Sequence, residues 1–169
     1  NGVAFTAAPG KVTSLIGPNG AGKTTVLNML GGFYRPDAGV IRLGERSVEA
    51  EPTYAIARAG VARTYQTSQL FGSMSVFDNL AIARCKGRLG EKQHDTAGAV
   101  ASLAAFVGYQ GNLMRRAAPL PHVDRRLIEI ARALATGPGV LLLDEPAAGL
   151  SGEDKERLAR LFRRIADSG

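Results

Sequence analysis

The sequence has a single cysteine, no long apolar run and no recognisable leader segment, and each absence narrows the class of protein. Cys85 can form no disulfide within the chain, which is typical of a protein from a reducing compartment. No uninterrupted apolar run approaches the roughly 18 residues that a membrane-spanning helix needs. No basic segment followed by an apolar one opens the chain, so we expect no secretory signal. With 45% hydrophobic and 21% charged residues, the composition is typical of a soluble globular domain.

The basic residues are numerous but dispersed. Lysine and arginine total 21 against 15 aspartate and glutamate residues, giving a net charge of +6. Such a charge permits nucleic acid, anionic lipid or a nucleotide as the partner. The sequence has no basic tract interleaved with aromatic residues and no zinc-type spacing of cysteine and histidine, which argues against nucleic-acid binding. We predict that most of this charge is solvated surface and that part of it is available to membrane headgroups.

Residues 17–24 match the phosphate-binding pattern G-x-x-x-x-G-K-[ST]. A β-branched and apolar run at residues 12–16 precedes the motif, and a helix-compatible run follows it, so strand, loop and helix stand in the required order. Glycines let successive N–H groups point at phosphate oxygens at the start of a helix. Lys23 adds a mobile positive charge, and the Thr24 hydroxyl is a hard oxygen suited to Mg²⁺. The predicted nucleotide-binding residues are Gly17, Pro18, Asn19, Gly20, Ala21, Gly22, Lys23, Thr24 and Thr25.

A second, acidic site follows the apolar run at residues 140–143. Asp144 and Glu145 come where a buried strand ends, which is where parallel α/β sheets place their ligands. We predict that Asp144 holds Mg²⁺ through water beside Thr24, and that Glu145 orients an attacking water. Alone, two acids after an apolar strand would also fit a solvated strand end. Together with the phosphate loop they predict nucleotide hydrolysis.

Gln66 is the third candidate. It ends a predicted strand at residues 61–65, and its amide can ligate Mg²⁺ and bind water without carrying charge. An isolated glutamine is usually a surface residue. The chain order Lys23, Gln66, Asp144 is what gives this one a predicted role in the site.

The remaining periodicity predicts an α/β core that carries a helical insertion. Ser151 is predicted to cap the last helix through a capping box with Asp154. Residues 1–66 and 136–169 are assigned to a partial nucleotide-binding core, and residues 67–135 to the helical subdomain. The predicted helices cover residues 24–30, 52–59, 70–84, 97–107, 126–135 and 151–167, with a short strand at residues 40–43.

With these motifs the chain resembles an ABC-type ATPase, a P-loop NTPase that serves as the nucleotide-binding subunit of a transporter. Residues 17–24 resemble the Walker A motif, and residues 140–144 resemble the Walker B strand. Glu145 falls on the family's catalytic glutamate, Gln66 on its Q-loop glutamine, and residues 148–151 on its D-loop. The segments most similar to the ATPases of bacterial branched-chain amino-acid, amide or urea importers are residues 55–66, 70–71, 74–80 and 144–150.

The resemblance implies ATP and Mg²⁺ as cofactors, with Glu145 and Gln66 in catalytic positions and Thr24, Gln66 and Asp144 around the metal. It implies a dimer with a second ATPase subunit, identical or not, beneath two membrane permease subunits. A periplasmic solute-binding protein is implied as an indirect partner, and nucleic acid is not. The expected location is the cytoplasmic face of the bacterial inner membrane, with residues 70–79 facing the permease.

The chain departs from the family pattern in three places. Residues 120–124 stand where the signature loop reads L-S-G/Y-G-Q. Pro121 has neither hydroxyl nor N–H and Asp124 adds an anion, so we expect a weakened closed dimer. The switch histidine after the last helix and the adenine-stacking aromatic before residue 1 are both missing. We therefore expect an incomplete sheet, with a gap between the Walker A and Walker B strands, and a marginally stable, poorly active chain.

Three other functions remain open. A nucleotide-binding half with little or no turnover is favoured by residues 120–124. A chromosome-maintenance ATPase of related fold would need long heptad helices, for which an insertion of about 70 residues leaves no room. A P-loop kinase would need an acceptor pocket and a lid, and Gln66 with the Asp144 and Glu145 pair argues against it.

Overall fold

The computed structural model describes residues 2–65, 69–85 and 96–168. Their contacts form two compact units. One holds the residues up to Lys23 together with those from Ala147 onward, and the other is Thr24–Pro146. The elements in chain order are α1 (Lys23–Leu30), β1 (Arg42–Leu43), β2 (Arg46–Ser47), α2 (Thr53–Arg58), β3 (Val61–Arg63), α3 (Val76–Cys85), α4 (Thr96–Val107), α5 (His122–Leu134), β4 (Val140–Leu142) and α6 (Gly152–Asp167).

The first unit contains the phosphate loop and α6. The Ser151 hydroxyl accepts a hydrogen bond from the N–H of Asp154 at 3.2 Å and donates to its carboxylate at 2.8 Å. The predicted cap of this helix is therefore confirmed. Leu158 and Leu161 are fully buried and lie three residues apart, on one face of α6.

The predicted strand at residues 12–16 is wrong. This segment carries no strand assignment, and Ile16 is 93% exposed. An apolar run becomes a strand only where a neighbouring strand offers its backbone N–H and C=O groups. Within the described ranges no strand pairs with this segment. The phosphate loop is therefore preceded by irregular chain that pairs with no strand of the described residues.

The second unit contains two small sheets. β1 and β2 form an antiparallel hairpin, and β3 and β4 pair in parallel with Arg63 opposite Leu142. The parallel ladder continues past the strand ends, because the Thr64 N–H donates to the Leu142 carbonyl at 3.0 Å. The carboxyl ends of parallel strands lie at the same edge of a sheet. The residues after β3 and β4 are therefore brought together, as the prediction of a site at this edge requires.

Three helices of the second unit enclose its main core. α4 and α3 each pack against α5, and the core residues are fully buried. Ser75 caps α3 by accepting from the Asp78 N–H at 3.0 Å and donating to its carboxylate at 2.6 Å. The fully buried apolar residues of these helices are Val76, Leu80, Val100, Val107, Leu127, Ile128, Ile130 and Ala131.

Helix α5 begins at His122, four residues before its predicted start. Pro121 precedes the helix, and its carbonyl accepts from the Arg125 N–H at 3.0 Å. Proline is compatible with a helix start because its missing N–H would lack an intrahelical partner there. Asp124 lies in the first turn, where a carboxylate is favoured by the helix dipole. The loop predicted at residues 120–124 is thus largely a first helical turn.

No helix in the described part of the chain combines the length and apolar character that would let it cross a bilayer.

Candidate functional site

The phosphate loop of the first unit is closed by its own lysine. The Lys23 ammonium donates to the carbonyl oxygens of Gly17 and Pro18, both at 2.9 Å. The Ala21 N–H donates back to the Pro18 carbonyl at 3.2 Å and completes a turn. The Lys23 residue is half-buried. One ammonium therefore satisfies two carbonyl oxygens while its third N–H remains available to an anion.

Two glycines give the loop its backbone shape. Gly20 and Gly22 have φ values of +80° and +85°, a left-handed conformation that costs other residues free energy. A Cβ on Gly17 would come within 3.1 Å of the Ala21 Cβ. Left-handed turns of this kind belong to the loops whose successive N–H groups cradle phosphate. The exposed residues at the loop are Pro18, Asn19, Gly20 and Ala21, with Thr24 and Thr25 exposed on α1.

In the second unit, Thr24 and Asp144 meet although 120 residues separate them in sequence. The Thr24 hydroxyl donates to Oδ1 of Asp144 at 3.3 Å. Thr24 is exposed, whereas Asp144 is buried. This pair brings the end of the phosphate motif and the end of the apolar strand into one place, as predicted.

Arg63 holds the other oxygen of Asp144, and sequence reasoning missed it. Its Nη2 donates to Oδ2 of Asp144 at 3.1 Å, and its Nη1 donates to Oδ1 of Asn28 at 2.7 Å. Its guanidinium carbon lies 5.6 Å from the ring centroid of Phe33 and 5.4 Å from that of Tyr65. The available signal was an arginine inside a strand of otherwise apolar residues, because such a charge needs a partner when it is buried.

The Thr24 and Asp144 oxygens fit Mg²⁺. The described residues include no group of three or more histidine, cysteine or acidic side chains that could hold a metal by themselves. Mg²⁺ usually keeps several waters and takes one or two carboxylates together with substrate phosphates. A hydroxyl and a carboxylate oxygen 3.3 Å apart supply hard ligands of that kind, and phosphate oxygens would supply the rest.

Glu145 has an unusual backbone. Its φ of 44° makes it the one non-glycine residue with positive φ among those the structure describes. Its side chain is exposed while its neighbour Asp144 is buried. Left-handed backbone in a non-glycine residue costs roughly 1–2 kcal/mol and is concentrated at functional sites. The two adjacent carboxylates therefore lie in different surroundings, Asp144 in the interior and Glu145 at the surface.

Gln66 lies outside the described residues, but the chain on both sides of it is fastened to α5. The Arg126 Nη1 donates to the Tyr65 carbonyl at 3.1 Å, and the Arg132 Nη1 donates to the Gln69 carbonyl at 2.6 Å. Burial lowers the pKa of Arg132, and the Glu129 carboxylate opposes this shift. Both guanidiniums therefore tie α5 to the backbone that leads into and out of residues 66–68.

Replacing Arg126 with Met is expected to lower the free energy of unfolding by about 3–5 kcal/mol, because it leaves a buried carboxylate without its cation. Arg126 and Glu129 are only 4% and 9% exposed and lie 2.8 Å apart. Urea unfolding followed by circular dichroism measures the change. Removing both charges, in Arg126→Met with Glu129→Leu, should recover most of the loss.

The matched control is Arg160→Met on α6. Arg160 lies 3.8 Å from Glu156, and these side chains are 64% and 77% exposed. Such a pair contributes about 0–1 kcal/mol, so the unfolding midpoint should barely change. A loss at Arg126 no larger than the loss at Arg160 would contradict the prediction.

Comparison with known proteins gives four informative matches. A family model described as ABC transporter matches residues 1–148. The high-affinity branched-chain amino acid transport ATP-binding protein LivG of Salmonella typhimurium is 39% identical over 98% of this chain and 70% of its own length. The corresponding protein BraF of Pseudomonas aeruginosa is 36% identical over the same shares. A solved structure of an ATP-binding cassette of an ABC transporter has a TM-score of 0.87 at 26% identity, covering 99% of this chain and 71% of that one.

Proposed function

This chain belongs to the ABC transporter family. We propose that it binds and hydrolyses ATP to power the import of branched-chain amino acids. The predicted α/β P-loop NTPase fold is confirmed by the likeness to a solved ATP-binding cassette. The transport-coupled ATPase function is that of the family. The solute is proposed from the two transport proteins LivG and BraF, which are named for branched-chain amino acids.

The observation that supports the site best is the contact between Thr24 and Asp144. An exposed hydroxyl and a buried carboxylate, far apart in sequence, share a hydrogen bond. Both supply the hard oxygen atoms that Mg²⁺ prefers as ligands. Gln66 is proposed as the third ligand on the strength of the family pattern alone. When bound, Mg²⁺ would neutralise charge on the β- and γ-phosphates.

The remaining roles follow from the chemistry of each group. Lys23 and the loop N–H groups, Gly20 and Gly22 among them, bind the phosphates. The third N–H of the Lys23 ammonium donates to a phosphate oxygen, which is a stronger acceptor than a carbonyl. Glu145 orients the attacking water and accepts its proton during in-line attack on the γ-phosphate. Its left-handed backbone sets the direction of that carboxylate relative to Asp144.

Replacing Thr24 with Ala tests this site. We expect the dissociation constant for ATP in the presence of Mg²⁺ to rise about tenfold, because a metal ligand is lost. In EDTA the variant and the unchanged chain should bind ATP equally. Fluorescent-nucleotide titration measures all four constants.

The control for that experiment is Thr13→Ala, which removes an exposed hydroxyl from the irregular chain before the loop. It should bind as the unchanged chain does in both conditions. Equal affinities for Thr24→Ala and the unchanged chain in Mg²⁺ would remove Thr24 from the metal site.

The proposed partners are two membrane permease subunits, a second ATPase subunit and, indirectly, a periplasmic solute-binding protein, at the cytoplasmic face of the inner membrane. Residues 70–79 are proposed to face the permease. Asn79 is fully buried and bonds both the N–H and the carbonyl of Phe71, at 2.9 and 3.1 Å. Phe71 itself is 49% exposed, with Arg132 5.2 Å from its ring centroid. An exposed aromatic on a fixed backbone suits an interface.

One observation favours a second function, a nucleotide-binding half with little turnover. Pro121 immediately precedes α5, and Asp124 lies in its first turn. At this place the family's signature loop offers a hydroxyl and N–H groups to a phosphate. The Asp124 carboxylate would repel that phosphate. Stoichiometric ATP binding without phosphate release, in the assembled pair of subunits, would favour this function over hydrolysis.

A further inference from the structure

We propose that Arg63 is a positioning residue of the metal site: a fixed cation that occupies one oxygen of Asp144 and leaves the other to Mg²⁺. The inference rests on the proposed function, because it concerns the same nucleotide site. Arg63 lies outside both motifs of that site, residues 17–24 and residues 140–145. We expect it to set how strongly ATP binding depends on the metal.

The Asp144 carboxylate is divided between two partners. Oδ2 accepts from Arg63 at 3.1 Å, and Oδ1 accepts from Thr24 at 3.3 Å. The side chains of Arg63 and Asp144 are 8% and 7% exposed, so their attraction is little screened by solvent. Since Oδ2 already has a charged donor, Oδ1 is the oxygen that remains for a metal.

Arg63 is held from three other sides. Asn28 of α1 accepts from its Nη1 at 2.7 Å, and the Phe33 and Tyr65 rings lie within 5.6 Å of its guanidinium carbon. The two rings contact each other edge to face at 6.1 Å between centroids. A planar guanidinium that is bonded through both Nη atoms and lies over two aromatic rings has little freedom to move. Arg63 therefore holds Asp144 with its Oδ1 directed toward Thr24.

The contribution of this ion pair to stability does not by itself explain why it is present. Nε of Arg63 is buried and has no hydrogen-bond partner among the described residues, and a buried unpaired donor is destabilising. Apolar side chains of similar volume are often as stabilising as a buried ion pair. The positive charge is therefore better explained by its effect on Asp144 than by stability alone.

The charge has a definite consequence for metal binding. A carboxylate that is already neutralised by a guanidinium attracts Mg²⁺ less than an unpaired one does. In the unchanged protein, metal binding then depends mainly on the phosphate oxygens of the nucleotide, so Mg²⁺ leaves when they leave. Without Arg63 the buried Asp144 charge is uncompensated, and Mg²⁺ becomes the cation that neutralises it.

The test is the ratio between the dissociation constant for ATP in EDTA and that in Mg²⁺. In Arg63→Met this ratio should rise roughly tenfold over the unchanged chain, because the metal now compensates a bare carboxylate. A smaller fraction of folded protein would weaken ATP binding in both conditions by the same factor and would leave this ratio unchanged. In an Asp144→Asn background the same substitution should leave the ratio unchanged. Arg63→Lys, which keeps the charge, should restore a ratio close to that of the unchanged chain.

Arg63→Gln is the second variant, for use if Arg63→Met does not fold, since its neutral amide can still donate to Asp144. The same rise is expected. A ratio that stays constant or falls in these variants, in a chain that otherwise binds ATP with Mg²⁺, overturns the role of Arg63 and leaves the proposed function standing. If the unchanged chain binds ATP with no dependence on Mg²⁺, the proposed metal site itself fails, and the role of Arg63 fails with it.

Discussion

Replacing Glu145 with Gln is expected to leave ATP binding intact and to slow hydrolysis by about 10² to 10⁴-fold. The amide keeps the size and hydrogen-bonding reach of the carboxylate but cannot accept the proton of the attacking water. It also carries the same left-handed backbone without new strain, because glutamine and glutamate have the same branching at Cβ. Phosphate release in a single turnover, divided by the amount of ATP bound, separates the chemical step from binding.

The control for Glu145 is Glu156→Gln on α6, a glutamate whose side chain is 77% exposed. That variant should hydrolyse ATP at the unchanged rate. Equal turnover in Glu145→Gln and the unchanged chain would assign the orientation of water to another residue. Lost binding in Glu145→Gln would show instead that this carboxylate acts before the chemical step.

Replacing Lys23 with Ala is expected to weaken ATP binding by about 100-fold, or close to 2.7 kcal/mol. The lysine ammonium carries the one full positive charge in the phosphate motif, and its bonds to the Gly17 and Pro18 carbonyls at 2.9 Å place it over the loop. In the proposed site this side chain would reach the β- and γ-phosphates. AMP, which lacks both, should therefore bind the variant and the unchanged chain with similar affinity.

Lys11→Ala, at an exposed position before the loop, is the control for Lys23 because it removes the same charge from the same chain. It should change ATP affinity little. If Lys23→Ala weakened AMP and ATP binding equally, the lysine would be supporting the fold of the loop and not binding the terminal phosphates.

Features that depend on neighbours in sequence could be predicted from the sequence. The cap of α6 needs only Ser151 and Asp154, three residues apart, and both hydrogen bonds are present. The contact between Thr24 and Asp144 is long-range, yet it was predictable. The phosphate motif places Thr24 where a helix begins, and the acidic motif places Asp144 where a strand ends.

Features that depend on a distant partner were not predictable. Residues 12–16 have the composition of a strand, but composition cannot supply the neighbouring strand that pairs with it. Arg63 is held by Asn28, Phe33 and Tyr65, whose proximity is set by the way α1 and β3 pack in the second unit. The early start of α5 depends on local chemistry instead, because Pro121 is compatible with a helix start and Asp124 is favoured in the first turn.

The two bonds from α5 to the carbonyls of Tyr65 and Gln69 also bear on how this sequence can diverge. A carbonyl oxygen is present whatever amino acid occupies positions 65 and 69, so substitutions there leave both attachments available. The arginines have no such freedom, since losing either one detaches the helix from that side. Across related proteins, the attachment can therefore persist while the residues that receive it vary.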